Sequence, residues 1–141
     1  MYLANQVDMA ALDPAARVQR SQFARFLHTR LSLNGGADWA PLPPPATFRS
    51  AQCNACRGGG AGCALHLHGP SSWAAPEGPH PSVYSQASAP GLLVGTGNVG
   101  AHLEFGAEAT CTFLSRDGGL SWEDVADHAG ERGGSSDWCC W

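Results

Sequence analysis

The sequence predicts an all-β chain that forms part of a β-propeller, and three observations predict it. The first is an Asp-box hairpin: residues 115–122 read Ser-Arg-Asp-Gly-Gly-Leu-Ser-Trp, the pattern Ser-x-Asp-x-Gly-x-Ser-Trp. In such a turn Asp117 accepts hydrogen bonds from the turn's own amides, Gly118 and Gly119 tolerate positive φ, and Trp122 buries its ring beside the hairpin. The second is a registered copy at residues 32–39, which sets Ser32 on Ser115, Asn34 on Asp117, Gly36 on Gly119 and Trp39 on Trp122 without a gap. Asn34 replaces the acid but still offers an Asx-turn oxygen. The third is the apolar strand leading into each copy, Thr29 to Leu33 and Thr112 to Leu114. The two tryptophans stand 83 positions apart. A blade takes roughly 40–50 residues, so the interval is either two blades or one blade with a long insertion, and the Pro, Gly and Cys-rich stretch at about 41–90 favours the insertion.

In chain order, Tyr2 to Val7 reads as a strand and Asp8 to Pro14 as a turn. Ala15 to Leu31 is ambiguous: its apolar residues fall near helical spacing behind Asp13-Pro14, yet Thr29 to Leu33 alternates as a strand. A loop or short helix followed by a strand accommodates both. The four prolines of 41–45 remove amide donors, so no ladder is expected to continue there. Cys53 to Cys63 encloses three consecutive glycines, a loop that needs a staple. Leu65-His66-Leu67-His68 alternates as a strand, placing the histidines on one face and the leucines on the other. Residues 69–90 form a long Pro, Ser and Gly-rich connection. Strand character returns at Leu92 to Val94, at Ala101 to Phe105 and at Cys111 to Ser115. The tail, 128–141, abandons every pattern and reads as a misread exon or frame.

Composition narrows the function classes. The 141 residues carry only 14% charged side chains and a formal charge of −4, with all eight basic residues arginine. That balance argues against nucleic acid or an anionic membrane as partner. No secretory leader is visible at the start, and no apolar run reaches the roughly 20 residues that span a bilayer. A propeller closes only with about four or more blades, more than this chain supplies, so a fragment of a longer protein is expected.

Three chemistries compete for the remaining motifs. Residues 95–100, Gly-Thr-Gly-Asn-Val-Gly, match the dinucleotide fingerprint and follow a strand, with Asp117 about where a ribose-binding acid would stand. That chemistry requires a helix to open at the glycines, whereas Gly106 interrupts one and Asp117 belongs to the box, so a glycine turn is expected and no cofactor. Cys53, Cys56 and Cys63 with His66 offer a Cys₃His zinc set, the basis of an alternative reading as a small intracellular zinc-binding module. The competing chemistry is a disulfide in which Cys63 pairs with Cys53 or Cys56; no metal site is expected, and Cys111, Cys139 and Cys140 have no assignable partners. Sialidases also carry Asp boxes, but their hydrolysis needs an arginine cluster and a tyrosine nucleophile with its glutamate. Tyr2 and Tyr84 have no glutamate placed beside them by a motif, so no catalytic residues are expected.

Read together, these motifs resemble the ectodomain of the sortilin family of sorting receptors, and its SorCS branch in particular. The residues that carry the resemblance are Cys63-Ala64-Leu65-His66-Leu67-His68, Ala89-Pro90-Gly91-Leu92, the glycine run 95–100 and the stretch Thr112 to Trp122, in that order. Residues 1–5 and 32–39 fit the preceding blade. The resemblance implies about two blades of a ten-bladed propeller over residues 1–127, in the luminal or extracellular part of a type I membrane glycoprotein. It implies protein or peptide ligands, namely neuropeptides and neurotrophin precursors, with the remaining blades of the parent chain as neighbours and a receptor dimer as an assembly. No ligand contact is tied to the matched motifs. Asn34, Cys111 and the tail depart from the family's pattern.

Overall fold

A computed structural model describes residues 1–11, 25–54, 56, 62–69, 72 and 82–125. The first part, 15–24, of the ambiguous segment 15–31, the glycine loop at 58–60, half of the connection 69–90, and the tail 128–141 lie outside those residues, as do Cys139 and Cys140.

Among the described residues, eight strands form two antiparallel sheets. Strands β1 (Tyr2–Val7), β2 (Leu27–Ser32) and β3 (Ala40–Pro41) make the first, in that order. Strands β4 (Ala64–Leu67), β6 (Leu93–Gly100), β7 (Cys111–Ser115) and β8 (Glu123–Val125) make the second in the order β4-β6-β7-β8, and β5 (Tyr84–Ser85) pairs with the start of β6. The same plan is used twice. Each Asp-box hairpin joins a middle strand to a short outer one, β2 to β3 and β7 to β8, so β1-β2-β3 correspond to β6-β7-β8. Among the described residues, the interval between the boxes contributes strands β4 to β7 to the second sheet.

Burial explains the register. Along β2 and β7 alternate residues point inward, giving Leu27, Thr29 and Leu31 in one and Cys111, Phe113 and Ser115 in the other. All four residues of β4 are buried, with β6 pairing along one edge and β2 of the first sheet lying against the strand. The expected division of β4 into a histidine face and a leucine face thus ends with both faces enclosed: Leu65, His66, Leu67 and the adjoining His68 are all buried. Leu65, Leu67, Leu42, Val99, Phe113 and Trp122 form one core, each side chain contributing about 1.5–3 kcal/mol by leaving water.

Three local expectations are corrected. The glycine run 95–100 is no turn: it is the body of β6, paired with β4 on one side and β7 on the other. Its glycines are needed for close approach, since a Cβ on Gly97 would lie 1.9 Å from the carbonyl oxygen of His66. Ala101 to Phe105 is a loop instead of a strand, because Asn98 takes the place of ladder partners. Its Nδ2 donates to the His102 carbonyl at 2.9 Å and its Oδ1 accepts from the Glu104 amide at 2.9 Å. The prolines of 41–45 do not stop the ladder at once: Pro41 ends β3 opposite Arg30, and the Leu65 amide donates to the Leu42 carbonyl at 3.1 Å. A proline on an edge strand can still present its carbonyl, and only the missing amide is lost.

Candidate functional site

The two Asp boxes are built from the same bonds. In the second, Ser115 Oγ donates to Asp117 Oδ1 at 2.9 Å and accepts from the Gly119 amide at 2.8 Å. Asp117 Oδ1 also accepts from the Ser121 amide at 2.9 Å, and Trp122 Nε1 donates to the Gly119 carbonyl at 3.1 Å. In the first, Ser32 Oγ donates to Asn34 Oδ1 at 3.1 Å and accepts from the Gly36 amide at 2.8 Å. Asn34 Oδ1 accepts from the Asp38 amide at 2.9 Å, and Trp39 Nε1 donates to Gly36 at 2.9 Å. Gly36 and Gly119 have φ of 95° and 91°, a region that favours glycine. The Asn34 exchange has a local cause. Where Ser121 donates its hydroxyl to Asp117 Oδ2 at 2.5 Å, the matching residue is Asp38, which can only accept, and Asn34 Nδ2 donates to it at 2.7 Å. Bonds from Ser121, first from its hydroxyl and then its amide, hold the Asp117 carboxyl down at about 2. None of these groups is presented for chemistry, and every one is spent on its own turn.

The cysteines are spent too. Cys56 pairs with Cys63, one of the two partners open to Cys63, and Cys53 pairs with Cys111, a cysteine to which the sequence assigned none. With Cys53, Cys56 and Cys63 oxidised, the Cys₃His zinc set no longer exists, and no group of three or more His, Cys, Asp or Glu suited to a metal occurs among the described residues. The bridge to Cys111 lashes the 42–63 connection onto β7. Asp124, buried in β8, adds a second tie: its carboxylate accepts from the Arg49 amide at 2.8 and 2.9 Å and from the Ser50 amide at 3.0 Å. Sequence reasoning missed Asp124, which stands beside Glu123 just beyond the box with no spacing to mark it.

The sheets meet at a polar seam that was equally invisible in sequence. Thr29, in the middle of β2 and 1% exposed, reaches across to β4. Its Oγ1 accepts from the Leu67 amide at 2.8 Å and donates to Asn5 Oδ1 at 2.7 Å, while Asn5 Nδ2 donates to the Leu67 carbonyl at 3.1 Å. The Thr29 amide donates to His66 Nδ1 at 3.2 Å. The other ring nitrogen, Nε2, lies 3.2 Å from the Gly100 carbonyl, so the neutral ring carries its proton on Nε2 and donates there. Burial, with smaller contributions from His28, His102 and Arg30, pushes the His66 imidazole down to about 4 against the pull of the Gly100 bond. At neutral pH His66 is an uncharged seam residue.

Among the described residues, two cavities open between the sheets. One, of about 500 Å³, lies between β1 and β5–β6 and is lined mainly by apolar groups such as Met1, Leu3, Val83 and Leu93. The other, of about 360 Å³, lies between β2 and β4 and is lined by His28, Arg30, His66 and the backbone of 62–64. Neither holds a tyrosine beside a glutamate. The hydroxyl of Tyr84 donates to Gln86, and Tyr2 and Tyr84 are both exposed. Among the described residues, the boxes, the disulfides and the seam account for the polar groups described above.

Comparison with known proteins agrees with that geometry. Residues 1–131 match the Sortilin-Vps10 family, described as "Sortilin, neurotensin receptor 3". The chain is similar to a protein of Neosartorya fischeri named Vacuolar protein sorting/targeting protein 10, with 40% identity over 114 residues, 78% of this chain and 7% of that protein. Similar proteins of the same name from Paracoccidioides brasiliensis and Aspergillus fumigatus are 39% and 40% identical over 106 residues, covering 72% of this chain. The chain thus spans about 7% of the length of the curated relatives it matches.

Proposed function

The chain belongs to the Sortilin-Vps10 family, and from that membership and its all-β propeller blades we propose that it serves a receptor ectodomain that binds protein or peptide ligands for sorting. The role is recognition, not catalysis. The observation that carries this reading is the pair of registered Asp-box sheets joined by a buried seam: a repeated scaffold whose box and seam residues are committed to holding it together. Residues 1–127 supply about two blades, extended by a Cys, Pro and Gly-rich insertion at about 41–90, and the remaining blades come from the parent chain. The ectodomain faces the lumen or the extracellular side of a type I membrane protein, a setting that suits two disulfides. Neuropeptides and neurotrophin precursors are the proposed ligands.

The test is binding to the immobilised, oxidised chain, measured by surface plasmon resonance against a neurotrophin precursor, its mature form and a neuropeptide. Saturable binding of the precursor or the neuropeptide, abolished when both disulfides are reduced, is the expected result. Absence of binding by the chain and by an ectodomain containing it would remove the ligand assignment.

A further inference from the structure

The first Asp box is closed to any substrate, yet its hairpin is set up to react with itself. Asn34 is followed by Gly35, whose missing side chain leaves the main-chain nitrogen unshielded, and both residues are exposed. A Cβ added at Gly35 would meet nothing within 4 Å. Among the described residues the Gly35 amide makes no hydrogen bond, so nothing ties down the nitrogen that follows the Asn34 carboxamide. The carboxamide itself is polarised. Its Oδ1 accepts from the Ser32 hydroxyl at 3.1 Å and from the Asp38 amide at 2.9 Å, two donors aimed at the atom that gains negative charge when Cγ is attacked. The second box repeats both donors around Asp117 but differs at the nucleophile: the Gly118 amide donates to the Gly91 carbonyl at 2.9 Å.

We infer that Asn34–Gly35 is a self-modification site, at which the folded box converts its asparagine to aspartate and isoaspartate through a cyclic imide, while the bond from Gly118 to Gly91 spares the second box. The Gly35 nitrogen gives its proton to water and bonds to Asn34 Cγ, and the carbonyl electron pair moves onto Oδ1, where Ser32 and Asp38 donate. Collapse breaks the Cγ–Nδ2 bond, and Nδ2 takes a proton from water and leaves as ammonia. Water then opens the five-membered ring. Cleavage at Cγ leaves aspartate at position 34; cleavage at the main-chain carbonyl leaves isoaspartate, with the chain running through Cβ and Cγ. Either product undoes the box. Aspartate sets a second carboxylate where Asn34 Nδ2 donates to Asp38 Oδ2 at 2.7 Å. Isoaspartate adds a main-chain carbon inside the turn that Ser32 Oγ closes onto the Gly36 amide at 2.8 Å. Ageing of this hairpin therefore loosens the entry into β3.

The reaction depends on the hairpin alone and not on the receptor reading. Its test gives both boxes the same reacting pair. The oxidised 141-residue chain carrying Asp117→Asn is aged at neutral pH, folded and in urea, with tryptophan fluorescence reporting the folded state. Peptide mapping by mass spectrometry follows conversion at positions 34 and 117, and enzymatic methyl transfer counts the isoaspartate. Digestion in heavy-oxygen water marks any conversion that occurs during handling. In urea the two positions should convert at similar rates. In the folded chain position 34 should convert about tenfold faster than position 117, since Gly118 must first give up its bond to Gly91. Equal folded rates, or an unchanged position 34, would overturn the assignment. Should the variant fail to fold, the unaltered chain decides: Asn34 should convert in the folded state at no less than its rate in urea, and a folded rate lower by about tenfold would mean that the box protects it and would sink the proposal.

Discussion

Removing the Cys53–Cys111 bridge should cost the chain more than removing Cys56–Cys63, although the two share one loop. The bridges span sequence separations of 58 and 7. In the chain-entropy account a cross-link destabilises the unfolded state by an amount that grows with the logarithm of the loop it closes, which gives about 4.2 kcal/mol for the long bridge and about 2.4 kcal/mol for the short one. The difference, about 1.9 kcal/mol, depends only on the ratio of loop lengths. It matters because a domain of this size is stable by roughly 5–15 kcal/mol in all. Cys53 and Cys111 are also core residues, each 6% exposed, so alanine pairs keep the comparison free of buried hydroxyls. Urea unfolding of Cys53→Ala/Cys111→Ala and Cys56→Ala/Cys63→Ala chains, followed by tryptophan fluorescence, measures both losses. With a slope near 2 kcal/mol per molar urea, the midpoints should fall by about 2 M and about 1.2 M. Equal losses, or a larger loss for the short bridge, would refute the argument. Either result would mean that the 42–63 connection is held in the native state by Asp124 alone, or that the unfolded chain is already compact across that span.

Further outcomes follow from single contacts. Since folded His66 titrates near 4 and an unfolded histidine near 6.5, the unfolded state binds the extra proton between those values. Stability should be level above pH 6.5 and fall on acidification toward pH 4, by on the order of 3 kcal/mol. His66→Gln, which can accept from Thr29 and donate to Gly100 without titrating, should flatten that slope in urea melts across the same range. Asp124→Asn should cost about 2–3 kcal/mol in the same assay, because the Arg49 and Ser50 amides lose a charged acceptor. Gly97→Ala should cost more than about 3 kcal/mol, or prevent folding, because its Cβ would overlap the His66 carbonyl in a closed ladder. Asn34→Asp should destabilise by on the order of 1 kcal/mol by setting a carboxylate against Asp38, and adding Asp38→Ser should restore the loss in a double-mutant cycle.

What could be read from sequence follows how far apart the interacting residues lie. The hairpins were legible because their bonds close within four residues: the oxygen at Asp117 or Asn34, the glycines that follow and the indole are all neighbours in the chain. The glycine run 95–100 was misread for the same reason. Nothing local says that Gly97 must be small, because the atom it would strike is the His66 carbonyl, supplied by another strand. Cys111, Thr29, Asn5 and Asp124 were missed because their partners lie 24 to 75 residues away. A threonine or an asparagine carries no pattern announcing that it replaces a ladder bond on a neighbouring sheet.

The Asn34 exchange marks the boundary between these two cases. Taken singly, asparagine in place of the box acid weakens the motif; taken with the residue four positions on, it preserves it. Asp117 needs a donor there and has Ser121, while Asn34 faces the acceptor Asp38 and supplies the donor itself. Each box therefore keeps one donor and one acceptor at this contact, with their order reversed. Position 34 alone would count as a departure from the pattern, but the pair of positions conserves the hydrogen bond. The first sheet consequently keeps a complete hairpin, which fixes the entry into β3 and, through Leu42, the start of the seam with β4.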